Sequence, residues 1–166
     1  PDLSVRVVRD IFSEHFERAI VDDPHQHQRL VSFFTRTAPE LFDRVELYDD
    51  KAPLFAAYGV DKVIDGLMTR RVDLPSGGYL IIDYAEALTV IDVNSGSFIG
   101  RGKGARLEDT ITTTNLEAAE EVVNQLRLRD IGGIIVIDFI DMSSQKNRDA
   151  VLEVLQRELK KDRSKV

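Results

Sequence analysis

Two apolar runs that each end in an aspartate constrain the fold of this chain more than any other feature. ALTVIDVNSG, residues 87–96, and GGIIVIDFIDM, residues 132–142, both pass from branched aliphatic residues directly into a carboxylate. Side chains alternate along a strand, so Leu88, Val90, Asp92 and Asn94 share one face and Thr89, Ile91 and Val93 take the other. In the second run Ile134, Val136 and Asp138 share a face, and Asp141 would fall on the opposite face if the strand continued. This run is apolar on both faces, which predicts a central strand covered on both sides. Ligand sites in open α/β sheets gather outside the carboxyl ends of strands. If the two strands are parallel neighbours, Asp92 and Asp138 arrive at one edge together.

Two carboxylates within reach of each other repel strongly unless a proton or a cation lies between them. A divalent cation relieves that repulsion and brings chemistry with it: activation of water and stabilisation of a phosphoryl transition state. An adjacent asparagine, Asn94, holds or orients a ligand without adding charge. The competing reading is that each aspartate caps a following turn or helix through side-chain to backbone hydrogen bonds. Spacing alone leaves both readings open. The chain has no cysteine, which excludes disulfides and thiolate zinc sites within it. Oxygen ligands favour Mg²⁺ or Mn²⁺ over softer metals. His15, His25 and His27 lie in polar sequence and read as solvated surface, as do Glu117, Glu120 and Glu121 on a helix.

With 166 residues, 43% of them hydrophobic and 31% charged, the chain has the balance of one compact domain or two small subdomains sharing a core. No apolar run reaches the roughly 18 to 20 residues that span a bilayer. PDLSVRVVRD lacks the basic-then-apolar order of a secretory signal and reads as the middle of a longer chain. Helices are expected over 3–12, 24–38, 59–69, about 107–129 and 147–163, and strands over 16–23, 44–50, 79–84, 87–94 and 134–137. LPSGG, residues 74–78, is a turn signal, and Ala85–Glu86 joins the two strands that follow. Arg101, Lys103 and Arg106 punctuate a loop with glycines at 100, 102 and 104, a composition that suits a polynucleotide backbone or a plain surface loop. The net charge of −7 argues against a general polyanion-binding surface, though not against a local basic patch.

The ordered set LPSGG, EALTVIDVNSG and TNLEAAEEVVNQLRLRDIGGIIVIDFIDM, with VELYDDKAPLF upstream, closely resembles the catalytic core of the bacterial RNase E/G family of endoribonucleases. The resemblance implies an α/β fold, a mixed sheet with packed helices. Residues 1–67 would be part of an RNase H-like subdomain, and residues 68–166 a DNase-like catalytic subdomain ending before the zinc link. By the same resemblance Asp92 and Asp138 bind the catalytic Mg²⁺, with Mn²⁺ the other candidate, and Asn94 assists. Arg101, Lys103, Arg106 and Lys165 are the expected RNA contacts. The implied reaction is hydrolysis of internal phosphodiester bonds in single-stranded, A/U-rich RNA, leaving a 5′-phosphate and a 3′-hydroxyl. The setting it implies is RNA processing and decay in the cytoplasm, peripheral to the inner membrane, beside RNA-decay machinery. Protomers would join in a homo-oligomer through zinc held by cysteines outside this chain. A non-catalytic RNA-binding or protein-docking scaffold is the alternative reading.

Overall fold

A computed structural model describes residues 2–13, 15–96 and 105–161. The chain divides into two compact units, 1–62 and 63–166. In the first unit, helix α1 (Leu3–Ile11) is capped by Asp2, whose carboxylate accepts from the Ser4 amide at 2.9 Å. Helix α2 (Pro24–Thr37) begins on Asp23, which accepts from Gln26 N at 2.7 Å, with Pro24 in the first turn where its missing N–H costs nothing. Strands β1 (Ala19–Val21) and β2 (Val45–Leu47) pair in parallel, and a 3₁₀ turn, Pro39–Arg44, leads into β2. Leu30 and Phe34 of α2 meet Val8, Ala19, Leu41 and Val45 in one core, with the Phe16 ring stacked on Phe34 at 5.5 Å. A short helix, α3 (Leu54–Ala57), precedes α4 (Val60–Gly66), whose Val63 and Ile64 stay exposed.

The second unit is built on a four-stranded mixed sheet in the order β3-β4-β5-β6. Strands β3 (Arg71–Asp73), β4 (Tyr79–Tyr84) and β5 (Leu88–Asn94) are successive antiparallel neighbours, whereas β6 (Ile134–Asp138) lies parallel to β5. A parallel neighbour needs a long crossover, which α5 (Ala105–Leu128) provides. Its Ala118 and Val122 pack on Leu80, Ile82 and Ile91, all without exposed surface, to form the inner-face core. A neighbouring face of α5 carries Ala119 against Val151 of α6 (Gln145–Leu159) and against Met142.

The expected double cover of the 134–138 run is not what forms. β6 is an edge strand, and its burial alternates: Ile135 and Ile137 pack on the inner core, while Ile134 and Val136 remain 64% and 47% exposed. Only the inner face of the sheet meets α5, so aliphatic residues on the outer face lie bare beside the aspartates. β3, which the short Arg-Val-Asp segment does not announce, extends the sheet at the other edge.

The LPSGG turn is pressed against the end of β5. Leu74 N donates to Gly78 O at 2.8 Å, and Gly77 takes a φ of 93°, a conformation that glycine adopts without steric cost. A Cβ on Gly78 would lie 2.7 Å from both the carbonyl oxygen of Asn94 and Cγ2 of Thr114. Gly78→Ala should therefore displace the turn from β5 and destabilise the fold by about 1–3 kcal/mol, read as a lower urea midpoint.

Candidate active site

The register of β5 and β6 sets Asp92 directly beside Asp138. Neighbouring strands lie about 4.8 Å apart, and paired residues project to the same face. The two carboxylates therefore stand together on the outer face, at the carboxyl ends of both strands, and both residues are exposed. Asn94 shares that face and donates from Nδ2 to Oδ2 of Asp92 at 2.9 Å. This bond fixes the plane of one carboxylate and leaves acceptor capacity on both.

The capping alternative loses ground here. α5 starts at Ala105, far beyond Asp92, and the N-cap position of α6 is Ser144, not Asp138. Among the described residues, no backbone N–H is hydrogen-bonded to either carboxylate. Like charges directly opposite on neighbouring strands are unfavourable. The register is thus imposed by apolar pairs behind them, Val90 with Val136 and Ile91 with Ile137, and the aspartates tolerate it.

The loop leaving β6 is fastened by α5 at two points. Asn115, fully buried, donates from Nδ2 to the Ile140 carbonyl at 2.8 Å and accepts from Ile140 N at 3.1 Å. Both hydrogen-bonding groups of one loop residue are satisfied two positions beyond Asp138. Glu108, one turn into α5, accepts from Asn147 Nδ2 at 3.0 Å, from Ser144 N at 3.1 Å, and from Ser143 through its amide at 3.3 Å and its hydroxyl at 2.9 Å. Ser144 makes no capping bond with its own side chain. Glu108 fills that role from another helix, and the negative charge suits the positive end of α6. These donors, Asn147 first and the Ser144 amide next, lower the Glu108 pKa to about 2.

Several expectations for other residues need revision. Glu117 is half-buried and accepts from Ser76 N at 3.0 Å, so it ties α5 to the LPSGG turn and does not belong to a solvated face. His25 is exposed, but the half-buried His27 ring bonds to the Val45 carbonyl at 3.2 Å. Asp83 lies within β4, as the expected 79–84 strand requires, and is held by Arg70 through two bonds, at 2.6 and 2.7 Å. Asp141 is exposed and lines a hollow against α6 with Met142, Arg148 and Leu152. Arg106 is exposed in the first turn of α5. Arg101, Lys103 and Lys165 lie outside the described residues. Asn115 and Glu108 escaped the sequence reading. Their one signal was polarity at positions 108 and 115, on the helical face that buried Ala119 and Val122 continue.

Among the described residues, no group of three or more His, Cys, Asp or Glu side chains is gathered for a metal. The paired carboxylates still fit Mg²⁺. That ion is commonly held by one or two carboxylates, with waters and substrate phosphate oxygens completing its shell. The donor set is all oxygen, and the open outer face leaves space for a large anionic substrate.

The folded-state Glu108 pKa lies below the ordinary 4.5 of a glutamate. Its contribution to stability is therefore complete above about pH 4.5 and is lost as pH falls towards 2. Glu108→Gln should lower the urea midpoint at neutral pH, and the gap to wild type should narrow over that acidic window.

The family model of the "Ribonuclease E/G family" matches residues 1–166. "Ribonuclease G" of Salmonella typhimurium (strain SL1344) is 43% identical over 163 residues, covering 98% of this chain and 33% of the relative. The "Ribonuclease E/G-like protein, chloroplastic" of Arabidopsis thaliana is 41% identical, with 98% of this chain and 16% of the relative covered. "Ribonuclease E" of Haemophilus influenzae is 38% identical over 165 residues, or 99% of this chain and 17% of the relative. The chain thus spans about a third of the ribonuclease G sequences it matches. With the match running from end to end, this chain belongs to the Ribonuclease E/G family.

Proposed function

We propose that this chain carries the catalytic centre of a Mg²⁺-dependent endoribonuclease acting on single-stranded, A/U-rich RNA in RNA processing and decay. The observation that carries the reading is the Asp92–Asp138 pair, brought into register on the open face of a sheet in a member of a ribonuclease family. Asp92 and Asp138 would hold the ion, and Asn94 would keep Asp92 in the orientation its hydrogen bond defines. When bound there, a divalent cation supplies charge neutralisation at the phosphate and activation of water. The chain's own part is positional. Asn115 and Glu108 hold the loop after Asp138, and the β5–β6 ladder fixes the separation of the carboxylates.

In the proposed reaction water attacks phosphorus, the bond from phosphorus to the 3′-oxygen breaks, and the phosphate stays on the 5′-oxygen of the downstream product. The 3′-oxygen departs with a proton as a hydroxyl. No protein nucleophile is required, in keeping with a chain that has no cysteine. Pairing of protomers through zinc bound outside residues 1–166 belongs to the same proposal.

The test uses the full-length protein and a fluorescent single-stranded RNA, with matched DNA and duplex RNA as controls. Asp92→Asn and Asp138→Asn should each reduce kcat by at least about 10²-fold. Stability should hold or rise slightly, because a like-charge pair on adjacent strands is relieved. Undiminished cleavage by either variant would reject the assignment. Unchanged NMR signals of Asp92, Asn94 and Asp138 on Mg²⁺ addition would favour a non-catalytic scaffold.

A further inference from the structure

We propose that Arg71 and Tyr79 form a stacking platform for an unpaired RNA base, one nucleotide from the Asp92–Asp138 pair. The proposal rests on the nuclease reading and adds to it a base-binding subsite.

Strand alternation places Arg71, Asp73, Tyr79 and Ile81 on the same outer face as Asp92 and Asp138. Tyr79 pairs with Asn94, and Ile81 pairs with Asp92, so Tyr79 is the diagonal cross-strand neighbour of Asp92. Such neighbours lie about 7–8 Å apart, within reach of adjacent groups of one nucleotide. The Arg71 guanidinium lies over the Tyr79 ring, 3.8 Å from its centroid. Its Nε donates to Asp73 at 2.9 Å, and the side chain is still 55% exposed. One face of the guanidinium is therefore occupied by the ring and one edge by the carboxylate. The exposed part of the side chain is what a further planar group can cover.

That arrangement is more than a place for a surface charge. Arg70, the preceding residue, spends both Nε and Nη2 on Asp83 and has no ring beneath it. Arg71 is instead held at two points, by the Tyr79 ring and by Asp73, so little further ordering is needed for a third planar group to join it. Unpaired bases stack on arginine planes and aromatic rings alike. Bases within a duplex have both faces already covered. A platform beside the carboxylates thus selects single strands and sets the phosphate next to the stacked base over the acidic pair. Asp73 cancels much of the charge of Arg71, so the contact depends on shape and polarisability more than on attraction for phosphate.

The experiment uses the full-length protein and oligoribonucleotides carrying one abasic residue at each position flanking the cleavage point. For wild type, removal of one particular base should raise KM about tenfold with kcat nearly unchanged, the size expected for one base–arginine–aromatic stack. Tyr79→Phe, which keeps the ring, should behave as wild type. Arg71→Lys keeps the charge without the plane, and Tyr79→Ala removes the support. Each should raise KM for intact RNA about tenfold and abolish the sensitivity to the missing base. An abasic penalty that is the same in wild type and Arg71→Lys overturns the platform. A second readout needs no cleavage: 2-aminopurine at the sensitive position should be quenched on binding to wild type and to Tyr79→Phe, but not to Arg71→Lys. If no RNA is cleaved, the nuclease reading falls, and position-specific quenching by wild type that Arg71→Lys loses still upholds the platform. Equal quenching by wild type and Arg71→Lys removes it.

Discussion

The parallel pairing of β5 with β6 is the interaction on which the rest of the site depends. It joins two segments separated by the whole of α5, and its register decides whether the aspartates meet. A slip of one residue would turn Asp138 inward, towards the core formed by Ile91 and Val122, and would turn Ile135 and Ile137 out. The burial of those isoleucines is therefore what holds two negative charges side by side. The electrostatic cost is carried by the hydrophobic face of the same strand.

Helix α5 supports that arrangement through three polar side chains, Glu108, Asn115 and Glu117. Near its start Glu108 gathers the amides of Ser143 and Ser144, and within the helix Asn115 completes the hydrogen bonding of Ile140. On its sheet-facing side Glu117 reaches Ser76 in the LPSGG turn, whose Gly78 packs against the Asn94 carbonyl and Thr114. One helix thus touches the segment after β6 and the turn that abuts the end of β5. Polar groups buried in such contacts are costly to leave unpaired, so the partners define the loop paths closely. Separate backbone segments around the site thus converge on one element.

Much of this was visible in the chain itself. Period-two alternation put Asp92 and Asn94 on one face, and the apolar approach to Asp138 marked its strand; the same periodicity marked β4 and the helical patterns marked α5 and α6. What escaped were contacts whose partners lie far away in sequence. Glu117 and Glu108 look like ordinary surface acids until Ser76 and Ser143 are brought to them. The β6 run is aliphatic on both faces, a pattern that reads as double cover, yet only Ile135 and Ile137 find a helix. β3 is three residues long and is a strand because β4 offers it a ladder. Local pattern determined which way side chains point; tertiary placement determined what they meet.

The exposed outer face also bears on the apparent conflict between an acidic chain and the anionic substrate proposed for it. With a net charge of −7, general attraction for phosphate is unfavourable. Arg70 and Arg71 add little to it, since Arg70 is committed to Asp83 and Arg71 to Asp73. Such a surface engages a polyanion best where a cation is concentrated between carboxylates and where contact is made with bases instead of backbone. The outer face has both kinds of place, the Asp92–Asp138 pair and the Arg71–Tyr79 plate, separated by one strand spacing and two residues. Exposed Ile134 and Val136 continue the apolar surface past the carboxylates on the other side. A base lying on either flank would bring its phosphate across the acidic pair. On the proposed reading, scarcity of free positive charge on this sheet would itself act as selectivity: a strand that exposes its bases would be held, and one that offers only its phosphates would not.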